Sequence, residues 1–295
     1  MDGQLTADTW LQAAVRLTDP SRAERYFAGI LWPAIWSCMQ DHVLGGWFFV
    51  RKTPWWRLRY RPAPGIEPEQ ARSRITEILT GLQSRPYLAE FNHQIYEPEC
   101  TAFGGPQAMD IAHRFFNHDS AFVSEYLGHL HRRPVLDQRK ELSLLLCTAM
   151  TRAAGQEWYE HGDIWARIAA VRGNNPRLPT DPDTAAEAAW HLLTADPDAT
   201  FARRLPDDLS HRAAGALTEY RTAGIALRGL ADRGQLQRGL RDVLAHHILF
   251  AWNRIGLSIP DQQTLARAAR DAVFTSPRIQ PPARQARSGR NQPDA

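Results

Sequence analysis

Between Trp47 and Pro62 the chain reads WFFVRKTPWWRLRYRP, and this stretch limits the possible folds more than any other. Two runs of strand-forming residues, 47–51 and 55–61, flank Lys52-Thr53-Pro54, the punctuation of a hairpin. Side chains alternate across a strand, so Arg57, Arg59 and Arg61 share one face while Trp56, Leu58 and Tyr60 share the other. The apolar face reads as core. Three guanidinium groups along one strand repel one another unless an anion or solvent lies against them. From spacing alone, the cationic face reads equally as a bidentate carboxylate or phosphate site and as the solvent side of an antiparallel sheet.

Around the hairpin the period changes. Residues 10–17 and 21–39 read as helical or partly helical, PAPGIEPEQ as a loop leading into a helix over about 69–84, and LAEFNHQIYE (88–97) as an alternating strand. Gly104-Gly105-Pro106 then ends the extended run and opens a helix near Gln107. From there the spacing predicts helices over 106–131, 137–154, 156–172, 183–194, 209–233, 235–253 and 260–274, separated by breakers such as RGNNPRLPTDPD. No repeat of fixed period is present. The fold class is α+β: a small antiparallel sheet in the N-terminal half (about 1–105) packed with a mainly helical C-terminal half (about 106–274), as one domain.

Composition excludes several function classes. With 295 residues, 43% hydrophobic content and ten Trp, the chain can bury a substantial core. It has no apolar run long enough to span a membrane, and the opening MDGQLTADTW lacks a signal pattern, so a cytoplasmic location without membrane contact is expected. The net charge of +3 equals the contribution of residues 275–295, whose four arginines and one aspartate sit in a Pro/Gln/Ser-rich tail expected to be disordered. Cys38, Cys100 and Cys147 have neither disulfide nor zinc spacing and read as small buried hydrophobes. His129-Leu130-His131 beside Arg132 and Arg133 reads as a solvated helix end facing the C-terminal dipole, not a metal site.

Four further stretches hold chemically useful side chains. Glu97-Pro98-Glu99 places two carboxylates near the Gly-Gly turn, where one can act as a base or orient an arginine; a solvated strand end is the plainer reading. FGGPQAMDIAH puts glycines before a helix, which leaves backbone N–H groups for an anion. AGQEWYEHGDIW concentrates Glu157, Glu160, His161 and Asp163, a pattern usual for helix surface. In LAHHILFAWNRIGLS, His246, Phe250 and Asn253 fall on one helical stripe.

Taken in order, GGWFFVRK, RLRYRP, YEPECTAFGGPQAMDIAHRFFNHDS, LSLLLCTAMTRAAG with the following WYEHGDIW, and WNRIGLS resemble the C-terminal, glutamate-eliminating domain of lantibiotic dehydratases, which also occurs as a free-standing protein of thiopeptide and related pathways. The resemblance spans about residues 30–260. It implies an enzyme without a cofactor, acting on the leader and modified core of a precursor peptide, with any glutamyl-tRNA used by a separate glutamylating partner and no direct nucleic-acid binding. By position Arg57 and Arg59 match the arginines that hold the glutamyl group, with the aromatics packed behind them. Tyr96, Glu97, Glu99 and His246 join them as candidate catalytic residues, and Arg61, Trp55, Phe103, Gly104, Gly105 and Asn253 as candidate substrate-binding residues.

Two departures shift the expected reaction. The family's Arg-Tyr-Gly-Gly is Ala102-Phe103-Gly104-Gly105 here, and its late histidine falls at Leu249, one helical turn from His246. The resemblance then points to the branch of thiopeptide pyridine synthases, which join two dehydroalanines in a formal [4+2] cycloaddition and release the leader. The alternatives are a lyase eliminating glutamate from O-glutamylated Ser/Thr, and a non-catalytic leader-binding partner.

Overall fold

The computed structural model describes residues 10–133, 135–173 and 181–275. Most of the RGNNPRLPTDPD linker and the tail beyond Thr275 lie outside them. Strands β1 (Leu11–Leu17), β2 (Leu44–Lys52), β3 (Trp55–Pro62) and β4 (Leu88–Gln94) form one antiparallel sheet in the order β2-β3-β1-β4. The hairpin forms as the alternation predicts: Lys52 pairs with Trp55 and Phe48 with Arg59 across a cis Thr53–Pro54 peptide.

One expectation is overturned. The segment LQAAVRL, expected to be helical, is β1, an interior strand whose residues are all buried except the half-buried Arg16. Its Leu, Gln and Ala favour helix intrinsically, but a short apolar run paired on both sides is decided by tertiary context instead.

Helices α1 (Ala23–Tyr26) and α2 (Trp32–Gln40), joined through a π-turn at Phe27–Leu31, cover one face of the sheet with α3 (Pro68–Gln83). There Phe27 meets Phe49 at 4.3 Å between ring centroids, and Trp32 stacks on Trp47 at 4.8 Å. A single turn α4 (Cys100–Phe103) precedes α5 (Pro106–Arg132), which crosses the opposite face, with Phe116 5.2 Å from Phe48. The helical half continues with α6 (Arg139–Ala153), α7 (Trp158–Arg172), α8 (Pro182–Thr194), α9 (Pro197–Arg204), α10 (Asp207–Asp232), α11 (Leu240–Ile255) and α12 (Ile259–Phe274). Helix α9 was not expected; its PDATFARR is too short and polar to show a period, and its start is fixed by Asp196, which accepts from the Ala199 N–H.

Residues 142–151 of α6 are buried without a break, as in a helix enclosed on every side. Helix α10 approaches it through Gly224, where a Cβ would stand 2.2 Å from the Met150 carbonyl oxygen. Gly224→Ala is therefore expected to destabilise the protein by at least ~1–3 kcal/mol in urea unfolding, because backbone faces backbone and no side chain can yield.

The two halves are clamped by charge. Arg139 holds Glu24 through Nη1 at 2.9 Å and Nη2 at 3.0 Å, and Arg51 reaches the same carboxylate at 2.5 Å. Both arginines also donate to the end of α11, Arg51 to Arg254 O and Arg139 to Ile255 O. Burial alone would raise the Glu24 carboxyl, but hydrogen bonds from Arg139 and the charge of Arg51 hold it at about 2, against an ordinary 4.5. Its contribution is present above the unfolded value and lost as pH falls from 4.5 toward 2. Glu24→Gln is expected to lower stability at pH 7 by on the order of 3 kcal/mol and to flatten the acid limb of a stability-against-pH curve.

Two polar stretches differ from expectation. His129 is buried, 3.5 Å from Asp208, so only His131 and its arginine neighbours make the solvated helix end. His161 is also buried, with Nδ1 3.0 Å from Thr151 Oγ1 and burial lowering it to about 4, while Glu157 and Glu160 form a capping box at the start of α7.

Candidate functional site

The sheet face toward α5 carries the arginines, and its aromatics lie among them instead of only behind. Arg59 on β3 is 5% exposed and lies between two rings, 5.3 Å from the centroid of Phe48 and 4.5 Å from that of Tyr96. Its Nε donates to Gln12 Oε1 at 2.8 Å, and Gln12 Nε2 donates to Gln94 Oε1 at 2.9 Å, so three strands are laced by one row of side chains. Arg61 sits 5.8 Å from the Trp10 ring and donates through Nε to Gly45 O. Arg59 and Arg61 thus each lie against aromatic rings and an acceptor oxygen, while the charge of Arg57 still acts against that of Arg59.

Beyond β4 the chain turns under this face. Tyr96 lies beneath Arg59, with its hydroxyl 2.9 Å from His113 Nε2 on α5. Burial pushes the Tyr96 phenol up to about 12 and lowers His113 to about 4, where the charges of Arg59 and Arg61 act in the same direction. At neutral pH this is a phenol against an uncharged imidazole. Arg59, lowered by burial to about 10, remains cationic.

Glu99, at the start of α4, brings the turn to α11: its Oε2 is 3.4 Å from His246 Nε2. The hydrogen bond from His246 leads the influences that hold the Glu99 carboxyl below its usual range; burial opposes it, and the charges of His246, Arg59 and Arg57 reinforce it. Phe103 is buried beneath His246, 4.6 Å between centroids, and fixes the ring. Glu99 and His246 are thus paired on the side of Arg59 and Tyr96, and the charge of Arg57 acts on the same carboxylate. Sequence reasoning missed Gln12 and His113, the groups that orient Arg59 and Tyr96; a buried Gln in a strand was a legible signal only once residues 11–17 are read as β.

Other expected residues are placed elsewhere. Glu97 is exposed and takes no part in these contacts. Trp55 is at the turn end of the hairpin, where Arg16 lies 5.8 Å from its ring. Asn253 accepts from Arg172 and Gln262, tying α11 to α7 and α12 at a groove of about 260 Å³ that also contains His246 and Leu249. The amides of Gly104 and Gly105 are not left for an anion, because they donate to Thr101 O and Cys100 O. The glycines serve the turn itself, with φ of +96° and +106° that side-chain-bearing residues rarely adopt. Position 102 presents no guanidinium; Arg238, which reaches this turn, donates to Ala102 O at 2.9 Å and lies 4.0 Å from Asp242.

A cavity of about 620 Å³ opens on the far side of Tyr96, lined by Trp10, Ile95, Met109 and His113 among others. Among the described residues no group of three or more His, Cys, Asp or Glu is placed to hold a metal, and no helix is long and apolar enough to cross a membrane.

The fold, a four-stranded antiparallel sheet packed with a mainly helical half, belongs to a defined class. The family described as lantibiotic biosynthesis dehydratase C-term matches residues 10–273. The chain is a member of that family. Its fold is similar to that of the tRNA-dependent lantibiotic dehydratase MibB from Microbispora sp. 107891, at 20% identity and a TM-score of 0.67 over 93% of this chain and 29% of that one. TsrL is similar at 14% identity and a TM-score of 0.61, over 89% of this chain and 93% of that one. The pyridine synthase TbtD from thiomuracin biosynthesis is similar at 15% identity and 0.56, over 90% and 98%. The chain therefore spans less than a third of MibB, and at these identities the likeness is one of fold. No curated protein matches it.

Proposed function

We propose that this protein is a maturation enzyme of a ribosomally made peptide natural product that joins two dehydroalanines of one precursor in a formal [4+2] cycloaddition. The observation that carries this reading is the Glu99–His246 pair beside Arg59. An amide next to a dehydroalanine must first move its N–H proton to its oxygen, giving an iminol whose 2-azadiene adds across the second alkene. Two carbon–carbon bonds form and two π bonds are consumed; loss of water and then of the leader amide completes a pyridine. The pair can carry the amide proton between nitrogen and oxygen, and the Arg59 fork stabilises charge on that oxygen. Enclosure and orientation supply the rest.

The Ala102 turn supports the same reading, since no guanidinium stands at position 102 and the Arg238 that reaches this turn donates to the Ala102 carbonyl. A second reading, elimination of glutamate from O-glutamylated Ser or Thr, is favoured by the charges of Arg59 and Arg57 acting on the Glu99 carboxylate, which is held below its usual range. The test is mass spectrometry of a precursor after incubation with the protein. A macrocycle and a freed leader from the fully dehydrated, azole-containing form support cycloaddition. Free glutamate from the glutamylated form replaces it with elimination. If neither product forms, and Arg57→Ala and Arg59→Ala leave pathway output unchanged, the protein is a non-catalytic leader-binding partner.

Glu99→Gln removes the base while keeping size and a hydrogen bond to His246. It is expected to lower the rate of product formation roughly 100- to 10,000-fold. Because Glu99 is held below the usual carboxylate range, the wild-type rate should not fall with Glu99 protonation until the pH drops below that range.

A further inference from the structure

The two outer edges of the sheet are treated differently. On β2 the outward N–H of Trp47 donates to Asn117 Oδ1 at 3.0 Å and that of Phe49 to Ser120 Oγ at 3.3 Å, so α5 closes that edge. On β4 such protection is confined, among the described residues, to one end: a register shift opposite Arg16/Leu17, and Gln83 Nε2 donating to Ala89 O at 3.3 Å. Toward its C-terminal end β4 shows Asn92 and Gln94 exposed, with neither a proline nor a lysine to discourage pairing. This open part runs directly into Ile95, which is 87% exposed, at the mouth of the cavity of about 620 Å³ floored by Met109 and Trp10.

We propose that the edge from Phe91 to Gln94 is a docking strand, on which an extended segment of the peptide substrate pairs as a fifth strand and seats an apolar side chain in the adjacent cavity. The proposal rests on the peptide-substrate reading above and gives it a place on the molecule. Alternate backbone groups of an edge strand point away from the sheet and are met by the backbone of another extended chain. The mainly apolar cavity takes the side chain that such an occupant projects at the end of the edge. Continuity with the candidate site selects the substrate over a second copy, since Gln94 on the edge is joined through Gln12 to Arg59. With strands about 4.8 Å apart, the occupant lies roughly 14 Å from β3, a distance that about four extended residues cover. A peptide held on the edge thus has its next residues within reach of Arg59 and Glu99.

The test uses the full chain and twelve-residue peptides selected on it from a random display library. The tightest peptide should slow hydrogen exchange at residues 91–95. N-methylating its alternate amides should weaken binding at least tenfold, whereas the intervening set is tolerated. Ile95→Asp, at a position exposed enough to leave the melting temperature unchanged, should weaken the same peptide at least tenfold. The proposal is overturned if no peptide is enriched, if protection appears on another surface, or if N-methylation is tolerated throughout. It is equally overturned if the protein dimerises through this edge, seen as a concentration-dependent mass abolished by Ile95→Asp. Edge protection with a blank result on both precursor forms would leave the docking strand standing and remove the proposed reactions; turnover without edge protection would do the reverse.

Discussion

Arg59→Met is expected to slow product formation roughly 100- to 1,000-fold, about 3–4 kcal/mol of transition-state stabilisation, while the protein stays folded. Methionine fills much of the space of the arginine stem between Phe48 and Tyr96, so ring packing is largely kept and the change falls on the cationic fork. Arg59→Lys keeps a charge but cannot hold Gln12 and a substrate oxygen in one plane, and should recover only part of the rate. Gln12→Ala tests positioning: it removes the hydrogen bond from Nε and should lower kcat more than it raises KM. Rates follow from mass spectrometry of the reacting precursor and folding from thermal melts. A near wild-type rate for Arg59→Met would remove Arg59 from the chemistry.

The largest stability effect is expected at Asp119. It is buried on α5, accepting from Arg254 Nε at 2.5 Å and from the Tyr220 hydroxyl at 2.7 Å, so it joins α5, α10 and α11. Arg254 is fully buried; its two amino nitrogens have no partner among the described residues, and the guanidinium lies 4.6 Å from the Phe116 ring. Asp119→Ala leaves that cation buried with no counter-charge and should cost about 3–5 kcal/mol, a large share of the roughly 5–15 kcal/mol that holds a domain folded. Replacing both partners by apolar residues, Asp119→Leu with Arg254→Met, should recover much of the loss, because two desolvated charges are removed together. Tyr220→Phe should cost only about 1 kcal/mol. Urea midpoints decide the matter: a double variant no more stable than Asp119→Ala would show that the pair is worth more than its desolvation.

The hairpin, the Gly-Gly turn and most of the helices were legible because each rests on a local rule: period two around Thr53-Pro54, glycine where φ is positive, and breakers between 3.6-residue periods. Strand β1 was not, because LQAAVRL is short and its state is set by β3 and β4, which lie 38 or more positions later in the chain. The candidate site divides the same way. The alternation picked out Arg57 and Arg59, and the motifs picked out Glu99 and His246. The pairing of Glu99 with His246 spans 147 positions, and no periodicity reports a contact of that range. Nor could spacing say that Phe48 and Tyr96 would enclose Arg59, since one ring comes from a neighbouring strand and the other from the loop after β4.

The enclosure of Arg59 also bears on ionic strength. Arg59, a residue only 5% exposed, is shielded from dissolved salt, whereas the half-buried Arg57 is open to screening at the Debye length of about 8 Å in physiological salt. If Arg57 and Arg59 act as proposed, raising the salt concentration should weaken any capture of a carboxylate-bearing substrate at Arg57 and leave a chemical step at Arg59 nearly unchanged. The protein would separate the two by depth: a screened cation at the rim for encounter, and an unscreened one in the floor for reaction.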